Sequence, residues 1–161
     1  MDRKFLVVVI VFGLALVTAG LGARFDGGDW LAEITTPDWT PGALVFAEGW
    51  VAWYAAWCAL AIIVAHGAVR LEPAPVAVWL AGLGTVLAWN WMMFGLHRPG
   101  WALGVMTLAV AIGALALLRG GRAHRHAVIP AFVSVAWLAV IWCWNIAIWR
   151  AGGGGLDSIV G

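Results

Sequence analysis

The chain has 161 residues, is 64% hydrophobic, and carries nine Lys+Arg against eight Asp+Glu for a formal net charge of +1. A soluble domain is nearer half apolar with about a quarter of its residues charged, so a soluble enzyme is excluded. No basic run is long enough to track a nucleic-acid backbone, and 13 Trp against a single Tyr mark a small, Trp-rich integral membrane protein.

Charge-free runs place five transmembrane helices, each near the ~20 apolar residues that cross a bilayer core. They span about 5–23, 44–69 (interrupted only by His66), 75–96, 100–118 and 127–149. None alternates like a strand, and only helices or closed barrels satisfy their backbone in lipid. The fold class is therefore all-α: one five-helix transmembrane domain over residues 1–150, then a flexible Gly-rich tail at 151–161. Arg3-Lys4 ahead of the first run resembles a secretory signal. The run's 19 residues exceed an h-region of about 7–15, so it reads as a retained helix. A long loop with Asp26, Asp29, Glu33 and Asp38 joins helices one and two; the other connections are Arg70–Pro73, His97–Gly100 and Arg119–His126. Arg3, Lys4, Arg70, Arg119, Arg122 and Arg125 fall on one side of the membrane, and Arg24, Arg98 and Arg150 on the other. That bias predicts a cytoplasmic N-terminus and an external C-terminus, in a bacterial inner membrane.

Tryptophan gathers at membrane interfaces, where the ring is buried and the N–H stays wet; Trp101 and Trp149 fit that role. On helix two Trp50, Trp53, Tyr54 and Trp57 fall at i, i+3, i+4 and i+7 and form one stripe. On helix five Trp137 and Trp144 share a face with Asn145 at its edge, while Trp142 and Trp149 form another stripe, facing lipid or a partner chain. Such stripes are more often packing than ligand boxes, and depth is what separates the two. At 1.5 Å per residue, Trp50, Trp89, Tyr54 and Trp137 lie about 9, 10, 15 and 18 Å below the outer helix ends, and Asn145 about 6 Å. Aromatics from three helices thus share the half of the bundle beneath the long loop, an arrangement expected to make a flat-walled apolar cavity with a lid.

The segment entering helix two reads Trp39-Thr40-Pro41-Gly42-Ala43-Leu44-Val45-Phe46, then Trp50, Trp53 and Tyr54. It resembles the W-x-P-P-x-W-x-F-x-x-x-W-x-x-L-Y pattern of the TspO/MBR family (tryptophan-rich sensory protein, mitochondrial translocator protein, peripheral-type benzodiazepine receptor). Trp39, Pro41, Phe46, Trp50 and Tyr54 match, whereas Gly42, Leu44 and Trp53 depart. Trp30 and Pro37 meet the W-x6-P of the first loop. In helix three Trp89 and Phe94 match, and Val86 stands where the family has Asn, with Asn90 one turn away as its substitute. In helix five Trp137 and Asn145 keep the W-x7-N spacing, and Pro130 lies seven residues ahead of Trp137 rather than four. The family's sterol-type motif has no counterpart, because the only tyrosine is Tyr54. The resemblance, to a divergent bacterial member, implies a homodimeric receptor or carrier. It would bind porphyrins or other hydrophobic polycyclic molecules through Trp39, Phe46, Trp50, Tyr54, Trp89, Asn90, Trp137 and Asn145. That serves tetrapyrrole transport, sensing or regulation, with no obligatory cofactor beyond a porphyrin- or haem-like ligand.

No Ser-His-Asp, Cys-His, paired-carboxylate or phosphate-cradling motif is present, so no catalytic or metal-binding residue is expected; clustered Trp is compatible with the light-driven porphyrin breakdown discussed for the family. Glu48, about 6 Å below Leu44, is either an interfacial side chain or a partner for a ligand amine or Arg24. His66 reads as a headgroup contact, and His124 and His126 beside three arginines read as attraction to anionic lipid. Helix three carries small residues at Ala77, Ala81, Thr85 and Ala88, a strip suited to close helix packing across a dimer. The alternative to a ligand-binding protein is a structural or assembly subunit of a larger pigment–protein membrane complex.

Overall fold

The computed structural model describes residues 2–25, 27–67 and 72–154, without the side chains of 121–123. Asp26, Arg70, Leu71, the Arg122 side chain and the tail from 155 onward, all named above, lie outside the described residues. Helix α1 (Arg3–Gly22) is capped by Asp2, whose carboxylate accepts from the Lys4 amide at 3.2 Å. The long loop then contains a helix that composition does not announce, α2 (Gly28–Glu33). Helix α3 (Ala43–Gly67) follows, then α4 (Pro73–Asn90) and α5 (Pro99–Ala123), each of these last two opened by a proline in its first turn, where no N–H is needed. A short 3₁₀ turn (Arg125–Ala127) leads into α6 (Val128–Ala151). Counting the turn after α4, five of these helices are long and apolar enough to cross a membrane. Around the bundle α1 packs on α3 and α4, α4 on α5, α5 on α6, and α6 back on α3.

Apolar burial does little to hold transmembrane helices together, because lipid tails are as apolar as leucine; packing and interhelical hydrogen bonds do that work. Here the indoles supply many of the bonds. Trp57 Nε1 donates to the Trp79 carbonyl at 3.0 Å and Trp79 Nε1 returns a bond to the Trp57 carbonyl at 3.1 Å, latching α3 to α4. Their close approach depends on Gly82, since a Cβ there would collide with the Trp57 ring. Trp89 Nε1 donates to Asn145 Oδ1 at 2.9 Å, and Asn145 Nδ2 donates to the Pro99 carbonyl at 2.9 Å, so one amide ties α4, α5 and α6 together. Trp142 Nε1 donates to Thr107 Oγ1 at 2.9 Å. The Trp142 ring, expected to face lipid or a partner, therefore bonds within the chain.

The last turn of the third span is π-helical, over Trp91–Gly95. Such a turn makes residues five apart neighbours, and the Leu96 amide duly bonds the Trp91 carbonyl at 2.8 Å. Beyond it His97 sits at φ 56°, a left-handed conformation that histidine tolerates better than most non-glycine residues. Arg98 is held out of the helical region by Pro99.

Candidate functional site

The end of the bundle that carries the long loop is filled with aromatic rings. Phe46, at the end of the first turn of α3, is the hub: its ring lies 6.2 Å from Trp50, 6.2 Å from Trp137, 5.8 Å from Trp144 and 6.4 Å from Phe94. Trp50 in turn meets Trp89 at 5.5 Å and Trp137 at 6.0 Å. The stripe on α3 continues as a column, with Trp50 edge-on to Trp53 and Trp53 stacked on Trp57 at 5.7 Å with 13° between planes. Most contacts are tilted or edge-to-face, the geometry that ring quadrupoles favour. Trp137 fits only because residue 49 is glycine, whose Cβ would otherwise occupy the ring position. The rings thus rest directly against one another, so the expected flat-walled cavity is here a closed chamber, packed ring against ring.

Phe46, Trp50, Tyr54, Trp89 and Trp137 come together in or against this cluster, Tyr54 by way of the Trp53 ring at 4.9 Å. Asn145 is adjacent and fully buried, yet both ends of its amide are engaged by Trp89 and Pro99; it positions a wall. Asn90 turns away from the rings: its Nδ2 donates to the Val86 carbonyl at 2.9 Å, and the side chain lies against Gly22 of α1. Trp39 is 52% exposed and outside the buried cluster. Glu48 points outward on α3 and is exposed. Two further members, read from the sequence but not among the expected ligand-binding residues, complete the cluster. Trp144 is buried, touches Phe46 and Phe94, and donates to Thr40 Oγ1 of the loop at 3.2 Å. Phe94 is five residues past Trp89, out of register on an α-helix, and the π-helical turn restores the contact at 5.4 Å.

The most telling polar groups are three indole donors. Trp50 Nε1, Trp53 Nε1 and Trp137 Nε1 are buried with no hydrogen-bond partner among the described residues. Leaving such a donor unmade costs about 1–3 kcal/mol, so a cluster of three is a reservoir of unmet hydrogen bonding. A molecule carrying acceptors could satisfy it. Above the chamber the loop forms a lid. Trp30 of α2 stacks on His97 at 4.7 Å with 9° between planes, and Phe25 packs against Gly95. A pocket of about 220 Å³ lies between the lid and the end of α6, lined by Trp30, Ile34, His97, Pro99, Ile148 and Ala151, and the rings of the cluster do not line it. Among the described residues no group of three or more His, Cys, Asp or Glu side chains is placed to hold a metal ion.

A family model described as TspO/MBR matches residues 5–150 of the chain. Two known proteins are similar over most of their length. Protein CrtK of Rhodobacter capsulatus is 28% identical over 161 aligned residues, covering 90% of this chain and 92% of that protein. The translocator protein of Bos taurus is 25% identical over 141, covering 81% and 80%. A match running from the first helix to the end of the last, on a five-helix bundle with its rings gathered under the first loop, is that of a whole domain and no isolated motif: the chain belongs to the TspO/MBR family.

Proposed function

We propose that the protein is a membrane receptor or carrier that binds a planar, porphyrin-type ligand between the indoles of the chamber, beneath the lid formed by the first loop. The observation that carries this reading is the trio of buried, unpartnered donors at Trp50, Trp53 and Trp137 set among flat apolar walls. A tetrapyrrole matches both features, offering wide π faces to stack on and carboxylate or carbonyl acceptors at its rim. Binding requires the walls to part, since the rings touch and the pocket under the lid is below the roughly 300–1,000 Å³ usual for a small-molecule site. The lid is held by Trp30 on His97, by the Trp144 to Thr40 bond and by Phe25, Leu31 and Ile34 packed on the core, and these contacts must open for a ligand to enter. Nothing in this scheme needs a catalytic group. The exposed strip at Ala77 and Ala81 on α4 supports assembly as a homodimer, and the basic bias supports a cytoplasmic N-terminus.

Quenching of intrinsic fluorescence by titrated protoporphyrin tests the site. Stacking is worth about 0.5–1.5 kcal/mol beyond area burial, so Trp50→Ala or Trp137→Ala should weaken binding about three- to tenfold. Trp149→Ala, away from the chamber, is the control. An octaalkyl porphyrin without acidic side chains should bind more weakly than protoporphyrin. Absence of saturable quenching, or chamber mutants that behave like the control, would overturn the proposal in favour of a structural subunit. Isolation in mild detergent as part of a stoichiometric larger complex would be the positive sign of that alternative.

A further inference from the structure

A second cavity, of about 640 Å³, lies at the opposite end of the bundle, between α1, α3, α4 and the end of α5. Its walls are Val7 to Leu14 of α1, Leu60 to Ala65 of α3, Val76 to Leu80 of α4, and Leu115 and Ala116 of α5. Along α3 it runs from Trp57 to Ala65, about 12 Å at 1.5 Å per residue. The ceiling is the Trp57–Trp79 latch, whose two N–H groups are spent on each other's carbonyls. The body of this cavity therefore presents hydrocarbon and no free donor, the reverse of the chamber above it. Among the described residues, every charged or imidazole side chain that lines it belongs to the rim: Arg119, His124 and Glu72. His124 reaches in over Gly67, where a Cβ would collide with its ring. The rim lies at the basic end of the molecule, beside Arg3, which bonds the Ala65 carbonyl at 3.1 Å, and near Lys4, whose carbonyl is 3.4 Å from His66 Nε2.

An apolar groove, open along α1 and α4 where Ile10, Leu14, Val76 and Leu80 are exposed, with a cationic rim fits an amphiphile that lays its tail along it. We propose that this cavity holds one acyl chain of an anionic phospholipid from the adjoining leaflet, its phosphate at Arg119 and His124. Basic pockets between transmembrane helices are known to take anionic headgroups, and here the tail site is built next to the head site. A sterol could offer Arg119 only a neutral hydroxyl and no negative charge, and a tetrapyrrole would bring polar pyrrole nitrogens against a wall that cannot answer them. Glu72 makes the rim selective: it disfavours a second negative charge close to α4 and keeps the phosphate on the α5 side.

Native mass spectrometry of the full chain, delipidated in mild detergent and titrated with phosphatidylglycerol or phosphatidylcholine, tests this. One phosphatidylglycerol per chain should be retained, preferred over phosphatidylcholine by about fivefold, the equivalent of ~1 kcal/mol for one surface arginine. Arg119→Gln, an exposed position that leaves the packing intact, should abolish the preference, whereas Arg150→Gln at the other end should leave it unchanged. Ala61→Phe, which fills the groove, should remove retention of both lipids while porphyrin quenching in the chamber persists. Equal retention of the two lipids by the native chain, a preference for phosphatidylcholine over phosphatidylglycerol, or undiminished retention by Ala61→Phe would overturn the proposal.

Discussion

Exchanging Asn145 for leucine keeps the branched shape and the number of heavy atoms, at some cost in bulk, and removes the amide that ties α4, α5 and α6. Two hydrogen bonds go, from Trp89 Nε1 and to the Pro99 carbonyl, both 2.9 Å long, at a side chain with no exposed surface. Interhelical hydrogen bonds inside membranes are worth about 0.6 kcal/mol on average and about 1.7 at most, so the pair contributes roughly 1–3 kcal/mol. The upper part of that range is the relevant one, because Trp89 is also fully buried and its N–H would join the unpartnered donors already present. In a chain of this size each kcal/mol shifts the melting point by about 2–4 °C, which gives a fall of about 2–12 °C. Thermal unfolding in detergent, followed by near-ultraviolet circular dichroism without ligand, measures it. A cycle with Trp89→Phe should return a coupling of about 0.6–1.7 kcal/mol for that one bond. If Asn145→Leu melts like the native chain, or the cycle returns no coupling, the amide is not a structural tie, and a direct role toward ligand takes its place.

Three other perturbations have defined outcomes. Gly82→Ala puts a methyl into the Trp57 ring; overpacking of this kind costs about 1–3 kcal/mol, and a melting point equal to the native one would mean that α3 and α4 are not held at this distance. Ala81→Leu, on the exposed face of α4, should weaken the dimer seen by crosslinking in membranes while leaving the monomer's melting point alone. An alkaline phosphatase fused to the C-terminus should be active and one fused after Arg122 inactive, and the opposite pattern reverses the orientation.

The spans were legible because charge-free length is a one-dimensional property, and so was the α3 stripe, since i, i+3, i+4 and i+7 share a face on any straight helix. What escaped reading depends on backbone irregularity or on gaps between helices. Helix α2 has six residues, too few to be stable from propensity alone; its tertiary seat on His97 and Phe94 maintains it. Phe94 joins Trp89 only through the π-helical turn, which no periodicity announces. Asn90 was placed near the ligand by counting one turn from Val86, and that same turn is the distance at which an Asn amide bonds its own helix carbonyl. Depth arithmetic brought aromatics from three helices to one level without showing that their rings would meet. It also missed the cavity at the other end, because its walls are ordinary Val, Leu and Ala and the space exists only where α1, α3, α4 and α5 come together below the Trp57–Trp79 latch.

The two ends of the bundle place opposite demands on what they hold. At the latch, two tryptophans answer each other's N–H groups, so the space beneath them asks nothing of an occupant except bulk. In the chamber, Trp50, Trp53 and Trp137 keep three donors buried and unanswered among the described residues, at about 1–3 kcal/mol each. Stacking alone cannot relieve that penalty, since a π face offers these N–H groups only a weak acceptor. An acceptor on the ligand does relieve it, and when the acceptor is a carboxylate the bond is worth about 1.5–3 kcal/mol, or roughly tenfold to a hundredfold in affinity. The comparison of protoporphyrin with an octaalkyl porphyrin therefore separates two causes that single tryptophan replacements confound. A large difference means that the donors read the rim of the ligand. Equal binding means that the indoles act as flat walls alone, and the unmet hydrogen bonds are then answered by water when the lid opens.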